Sequence, residues 1–516
     1  MALPRLIQGG MGAGVSSYRL AREVSMAGQL GVVSGTALDS ILARRLQDGD
    51  PEGHMRRAMA AFPVRHVAEL ALEKYFRPGG WTGSTAGATG GTNEQPGVDR
   101  YKLVPMLRAK MTPERESLIV LANFVEVWLA KEGHSGVVGI NLLEKIQFPT
   151  LPSLYGAMLA GVDVVLMGAG IPAEIPGALD LLCRHEPTSI SLAVLDRAES
   201  DASHRLSYDP RTLGDEAVLT LSLKRPKFLP IIASVVLAKA LLKKAPGGID
   251  GFVIEGPTAG GHNAPPRGQQ KLNAIGEPIY GERDVVDLEA MKEFGLPFWL
   301  AGSYCSPEKV AAAIAAGARG IQAGTAFALC SDSGLEPALR ERFLAQILAG
   351  DAKVFTDPLA SPTGFPFKVA TLDHTLSQVT DYSDRPRICD LGYLRRAYSK
   401  EDGTLGYRCP AEPVEDYLKK GGKIEDTVGR KCLCNGLVAN IGQGQERANG
   451  DCELPLLTIG DDLDCVREQI SAGKLEYSAR DVVAWLKIPA GDGPDAPGGP
   501  HAVVVSTLTS QAAATA

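Results

Sequence analysis

The chain has 516 residues, 45% of them hydrophobic and 22% charged, with a formal net charge of −7. That composition suits a globular protein with a large core and excludes a disordered, collagen-like or disulfide-scaffold chain. The acidic balance also lacks the concentrated basic surface of a nucleic-acid binder.

In chain order, short apolar runs alternate with longer helical patterns. The first run, Arg5–Gln8, starts so early that no room is left for a signal or transit peptide. Candidate strands follow at Leu30–Ser34, Val137–Leu142, Asp163–Met167, Leu229–Ala233, Gly251–Glu255, Phe298–Ala301 and Gly320–Ala323. Most are apolar throughout, as parallel strands buried on both faces should be. Helical stretches stand between them, among them Tyr18–Ala27, Leu151–Ala160, Ala173–Cys183 and Pro307–Ala316. Eight such units predict an α/β fold of the (β/α)8 TIM-barrel type, which occupies about 250 residues. The most apolar window, Leu229–Leu242, is interrupted by Lys239 and is too short to cross a bilayer.

A doubly wound dinucleotide fold is the main rival. The first strand runs into Gly9-Gly10-Met11-Gly12-Ala13-Gly14, but a GxGxxG pattern from Gly10 needs glycine where Val15 stands. The second strand ends in Ser34-Gly35, with no acid to hold a ribose.

The surplus length falls in definable places. Residues 1–375 read as the barrel, with inserts over about 50–136 and 190–226. The middle of the first insert, Pro78–Gly97, is poor in apolar residues and reads as a surface excursion or a lid. Residues 376–488 have no strong period of their own and are expected to pack on the barrel. Residues 489–516, rich in Pro, Gly, Ala and Thr, read as a disordered tail.

The stretch richest in chemistry is Asp250-Gly-Phe-Val-Ile-Glu255-Gly-Pro-Thr-Ala-Gly260-Gly261-His262-Asn263. A buried strand ends in an acid, and a turn then delivers two glycines and a histidine to the C-terminal face, where barrel active sites lie. Paired glycines let backbone approach a flat ligand, and His262 over it would carry a pKa suited to moving protons near neutrality. Strand seven leads into Gly302-Ser303, and strand eight into Gly324-Thr325. Loops after strands seven and eight often form a phosphate site from backbone N–H groups. A flat ring with one phosphate points to FMN.

On these residues the chain resembles the nitronate monooxygenase (2-nitropropane dioxygenase) family of FMN-dependent barrels. The matching motifs are IQGGMG (Ile7–Gly12), GINL (Gly139–Leu142), EGPTAGGH (Glu255–His262), LAGS (Leu300–Ser303) and IQAGTAF (Ile321–Phe327). The resemblance implies that Gly10 and Met11 lie against the isoalloxazine and that Asn141 bonds its pyrimidine edge or the substrate. It implies further that Gly260 and Gly261 line the ring and that Gly302, Ser303, Gly324 and Thr325 hold the phosphate. His262 is then the catalytic base or substrate anchor. Two departures stand out. Many members carry glutamine where Glu255 stands near the pyrimidine, and often a second glycine where Ser303 stands.

The activity so implied is oxidation of alkyl nitronates by O2 to carbonyl compound and nitrite. The rival within enzymes is an FMN-dependent enoyl-thioester reductase using NAD(P)H, and the rival of another class is a non-catalytic flavin-binding scaffold. A small-molecule substrate is expected, without nucleic-acid or membrane partners. The oligomeric state is open and leaves room for a homo-oligomer.

The nine cysteines, an odd number over so long a chain, read as reduced thiols of a cytoplasmic protein. Cys389, Cys409, Cys432 and Cys434 fall in one segment without the paired CxxC spacing of structural zinc, so they read as scattered thiols and no metal is expected. Cys305, beside the strand-seven loop, reads as a helix-start packing residue. No GxSxG elbow, Walker A sequence or HExxH motif is present.

Overall fold

The computed structural model describes residues 3–81, 98–196 and 203–488. Most of the lid reading (82–97), the tail reading (489–516) and residues 197–202 of the second insert lie outside the described residues.

Eight parallel strands form one sheet: β1 (Leu6–Gln8), β2 (Gly31–Ser34), β3 (Val138–Leu143), β4 (Val164–Gly168), β5 (Lys227–Ile232), β6 (Phe252–Glu255), β7 (Phe298–Ala301) and β8 (Gly320–Ala323). Each pairs with its neighbours in sequence, and β8 returns to pair with β1. A parallel bridge between Ile7 and Leu30 joins β1 to the start of β2, and this closes the TIM barrel. All eight strands coincide with the apolar runs, to within a residue or two at their ends.

Side-chain alternation explains why those runs are apolar throughout. Ile7, Val32, Val253 and Trp299 meet in the barrel interior, while their neighbours Leu6, Val33, Phe252 and Phe298 pack outward against the helices. The one polar atom of Trp299 is satisfied there, its Nε1–H donating to the Pro4 carbonyl at 3.0 Å.

The stretch read as the first insert contains helices His54–Ala60 and Arg65–Tyr75 and ends in the long helix Pro113–Lys131. Thr112 caps that last helix, accepting from the Arg115 N–H. The helix packs against both Tyr18–Met26 and Thr150–Leu159, so it stands in the outer ring between β2 and β3. It is apolar nearly all round because the added helices cover the face that a simple barrel would leave in water. Its contact with the next helix is close: a Cβ at Gly156 would fall 2.1 Å from the Val120 carbonyl oxygen.

The C-terminal extension shares its core with the barrel. Leu376, Leu391, Leu433 and Leu456 join one barrel cluster, and Leu457, Ile459, Val466 and Val482 join the other. Buried polar contacts pin the two parts together. Asp39 pairs with Arg115 and accepts from the Tyr393 hydroxyl at 2.6 Å. The Tyr477 hydroxyl donates to the Ala326 carbonyl just beyond β8 at 2.8 Å. Among the described residues no helix is long and apolar enough to cross a membrane.

Candidate active site

The eleven residues singled out from the motifs all line one pocket at the C-terminal end of the barrel. Strand register explains the convergence, since Glu255 pairs with Ala301 and Ala301 with Gln322, which stands one residue before Ala323 and two before Gly324. The loops that follow therefore open onto the same space.

After β1, Gly10 is pressed onto β3: a Cβ there would lie 2.3 Å from the Asn141 Cβ. The Asn141 amide donates to the Gly10 carbonyl at 3.1 Å and so fixes that loop. Its carbonyl oxygen is buried without a partner, as is the Gln322 Oε1 on β8. Met11 lies beside Gly324, its Sδ 3.4 Å from where a Cβ would stand.

The two glycines before His262 serve different ends. A Cβ at Gly260 would strike the extension, 2.7 Å from the Ile459 carbonyl carbon. Gly261 has φ +80° and faces open space, so only there does the missing side chain leave room. Its N–H donates to the Thr458 hydroxyl of the extension at 3.1 Å.

His262 is held by Ser361, Nε2 to Oγ at 2.7 Å, and packs edge-on against Phe367 with ring centroids 4.8 Å apart. This burial pushes the imidazole down to about 4. The near-neutral titration expected from its residue type is thus corrected: apolar surroundings disfavour the imidazolium, and His262 is neutral at pH 7. Burial acts on Glu255 in the opposite direction, pushing its carboxyl up to about 8. Glu255 is therefore protonated at neutral pH and can donate a hydrogen bond as an amide does.

In the strand-seven loop, Gly302 (φ +92°) and Ser303 (φ +61°) both adopt left-handed backbone. Serine at a position where glycine is free costs about 1–3 kcal/mol. After β8, the Thr325 hydroxyl accepts from the Gly460 N–H at 3.0 Å, leaving its own O–H to donate.

Motif reasoning missed the walls that the extension builds. Tyr393, Leu394, Leu433, Cys434, Leu437, Thr458, Ile459 and Gly460 line the same pocket. Nothing local marks them except the polar turn Gly460-Asp461-Asp462 after an apolar run. Cys305 sits on the pocket wall beside Cys465.

Residues 214–358, which carry β5 to β8 and the Gly-Gly-His turn, match the family model described as nitronate monooxygenase. A nitronate monooxygenase of Paraburkholderia phytofirmans is 29% identical over 181 residues, covering 34% of this chain and 46% of that protein. This part of the barrel is thus similar to the nitronate monooxygenase family. A second relative, the (3aS,4S,5R,7aS)-5-hydroxy-7a-methyl-1-oxo-octahydro-1H-indene-4-carboxyl-CoA dehydrogenase of Mycobacterium tuberculosis, is 32% identical over 120 residues, covering 23% of this chain and 30% of that one. The chain thus spans less than half the length of either curated relative. Among solved structures, FabK from Thermotoga maritima aligns with TM-score 0.44 at 15% identity, covering 94% of this chain and 91% of that one. Nitroalkane oxidase from Streptomyces ansochromogenes aligns with TM-score 0.41 at 14% identity, covering 94% of each.

Proposed function

We propose that the chain is an FMN-dependent oxidoreductase that oxidises alkyl nitronates with O2 to a carbonyl compound and nitrite. The observation that carries this reading is the gathering of all eleven motif residues, from five strands and their loops, around one pocket in a barrel whose residues 214–358 match the nitronate monooxygenase family model. The pocket suits a flavin on its own chemistry. Asn141 Oδ1 and Gln322 Oε1 are buried acceptors in want of donors, and the N–H of a flavin pyrimidine ring supplies one. Gly302-Ser303 and Gly324-Thr325 offer backbone N–H groups and two hydroxyls for a phosphate.

When bound, FMN would supply the electron chemistry. The rest falls to the protein. Gly10, Met11, Gly260 and Gly261 would orient the ring, and neutral His262 would anchor the nitronate or take the α-proton of a neutral nitroalkane. Protonated Glu255 would donate to the pyrimidine edge without adding negative charge beside it. In this reading residues 1–375 hold the cofactor, while 376–488 close the pocket and exclude water.

A second reading, reduction of an enoyl thioester by NAD(P)H, draws support from Glu255, a neutral acid able to hand over a proton, and from the relative named for a carboxyl-CoA substrate. Anaerobic mixing separates the two. Bleaching of the flavin by a nitronate, followed by nitrite release in air, is expected. Bleaching by NAD(P)H alone would favour the thioester reading. A colourless protein that takes up no FMN would overturn both and leave a scaffold.

A further inference from the structure

All nine cysteines are free, yet they fall into two kinds. Cys183, Cys330, Cys452 and Cys465 each point the S–H at a backbone carbonyl two or three residues back, as a protonated thiol does. Cys305 lies against Cys465. Cys389, Cys409, Cys432 and Cys434 donate to no acceptor among the described residues. Burial pushes all four thiols up, so as free groups they are neutral. A buried neutral thiol wants an acceptor, and these four lack one. Thiolates bound to a metal centre need none.

The four also share one place. They line a single small cavity within the extension, together with Arg395 and Glu412. Scattered thiols, the expectation from their spacing, are therefore brought together by the fold. Four cysteine sulfurs around one cavity are the ligand set of a metal centre. Among the described residues, no three His, Cys, Asp or Glu side chains are grouped so that they could hold a metal ion. A larger centre, which holds its four thiolates farther apart than one ion would, reconciles that with the shared cavity.

We propose that Cys389, Cys409, Cys432 and Cys434 ligate an iron–sulfur cluster. Its position gives it a task. Leu394, Leu433 and Cys434 line both the cysteine cavity and the main pocket, so the cluster stands one wall away from the pocket's occupant. There it exchanges single electrons with the flavin: one iron passes from ferric to ferrous as the donor loses one electron, and no bond to sulfur is made or broken. This task, unlike the cluster itself, rests on the flavin reading above.

The test uses the full chain purified without oxygen, with iron, acid-labile sulfide, zinc and FMN measured on the same sample. About two to four iron atoms and matching sulfide per chain are expected, with a paramagnetic signal after dithionite reduction. Cys432→Ser with Cys434→Ser should lose iron and signal, while Cys452→Ser, at an exposed thiol outside the cavity, keeps both. If the double variant does not fold, the wild-type content decides. One zinc without sulfide would overturn the proposal. So would a chain that carries no iron and takes up none with ferrous iron and sulfide under anaerobic conditions. FMN present without a cluster refutes only the cluster, and a cluster present without FMN refutes only the electron-transfer task and the flavin reading.

Discussion

Glu255→Gln is an isosteric change that removes one ionisation from the pocket wall. In the unfolded chain this carboxyl titrates near 4.5, and in the folded protein burial lifts it to about 8. The folded state therefore holds the proton more tightly, and the stability linked to it is fully present below 4.5 and lost as pH rises toward 8. Integrated from pH 5 to pH 8, the wild-type protein should lose about 3.5 kcal/mol that the glutamine variant keeps. Other groups titrate alike in both proteins and cancel in the comparison. Urea unfolding of both at pH 5 and pH 8 reads the difference. With a slope of about 3 kcal/mol/M or more, the gap between the two midpoints should widen by up to about 1 M in favour of the variant. Midpoints that move in parallel would refute the argument, because Glu255 would then be ionised in the folded state at neutral pH. The same carboxyl predicts a turnover that declines above pH 8 in the wild type and not in the variant, wherever the neutral acid is needed.

His262 should contribute no limb near pH 6.5 to a pH–rate profile, since burial puts its titration near 4, and His262→Ala should lower kcat by about 10²–10⁴-fold if it moves a proton. A limb near 6.5 that disappears in the variant would contradict the buried, neutral imidazole. Thr458→Val deprives the Gly261 N–H of its acceptor, and a loss of about 1 kcal/mol, or roughly fivefold weaker FMN binding, is expected by fluorescence titration. Asp39→Ala leaves Arg115 buried without its partner and frees the Tyr393 hydroxyl, so urea unfolding should show a loss of about 3–5 kcal/mol.

The barrel was legible because its signal is local. A parallel strand buried on both faces is a short apolar run whatever surrounds it, and all eight could be located that way. The motif residues were legible for a related reason. Barrel topology carries every strand end to one face, so glycines and a histidine just past strand ends are neighbours before any contact is known. What stayed hidden depends on contacts distant in sequence. The helix Pro113–Lys131 joins the outer ring, though some eighty residues of chain precede it after β2, and its apolar surface alone does not say which elements cover it. Thr458 and Gly460 reach Gly261 and Thr325 only because the extension folds back across the barrel mouth. Spacing likewise could not pair Cys389 and Cys409 with Cys432 and Cys434, since a strand hairpin and a helix stand between them.

Those distant contacts also set the chemistry of the site. His262 is bridged to Phe367, and Phe367 begins a strand paired antiparallel with Val354–Asp357. Ser361, which holds the imidazole, sits in the turn between these strands. Beyond them, the Gly460 backbone contacts Thr325 and lies against Gly260. The parts that withdraw His262 from water thus lie beyond the strand ends, while Glu255 is itself the last residue of β6. Each withdrawal removes a charge, the imidazolium at one residue and the carboxylate at the other. The pocket therefore presents two neutral hydrogen-bonding groups at neutral pH. It follows that a substrate is selected here by hydrogen bonding and shape and not by attraction to a fixed charge, so its binding should vary little with ionic strength.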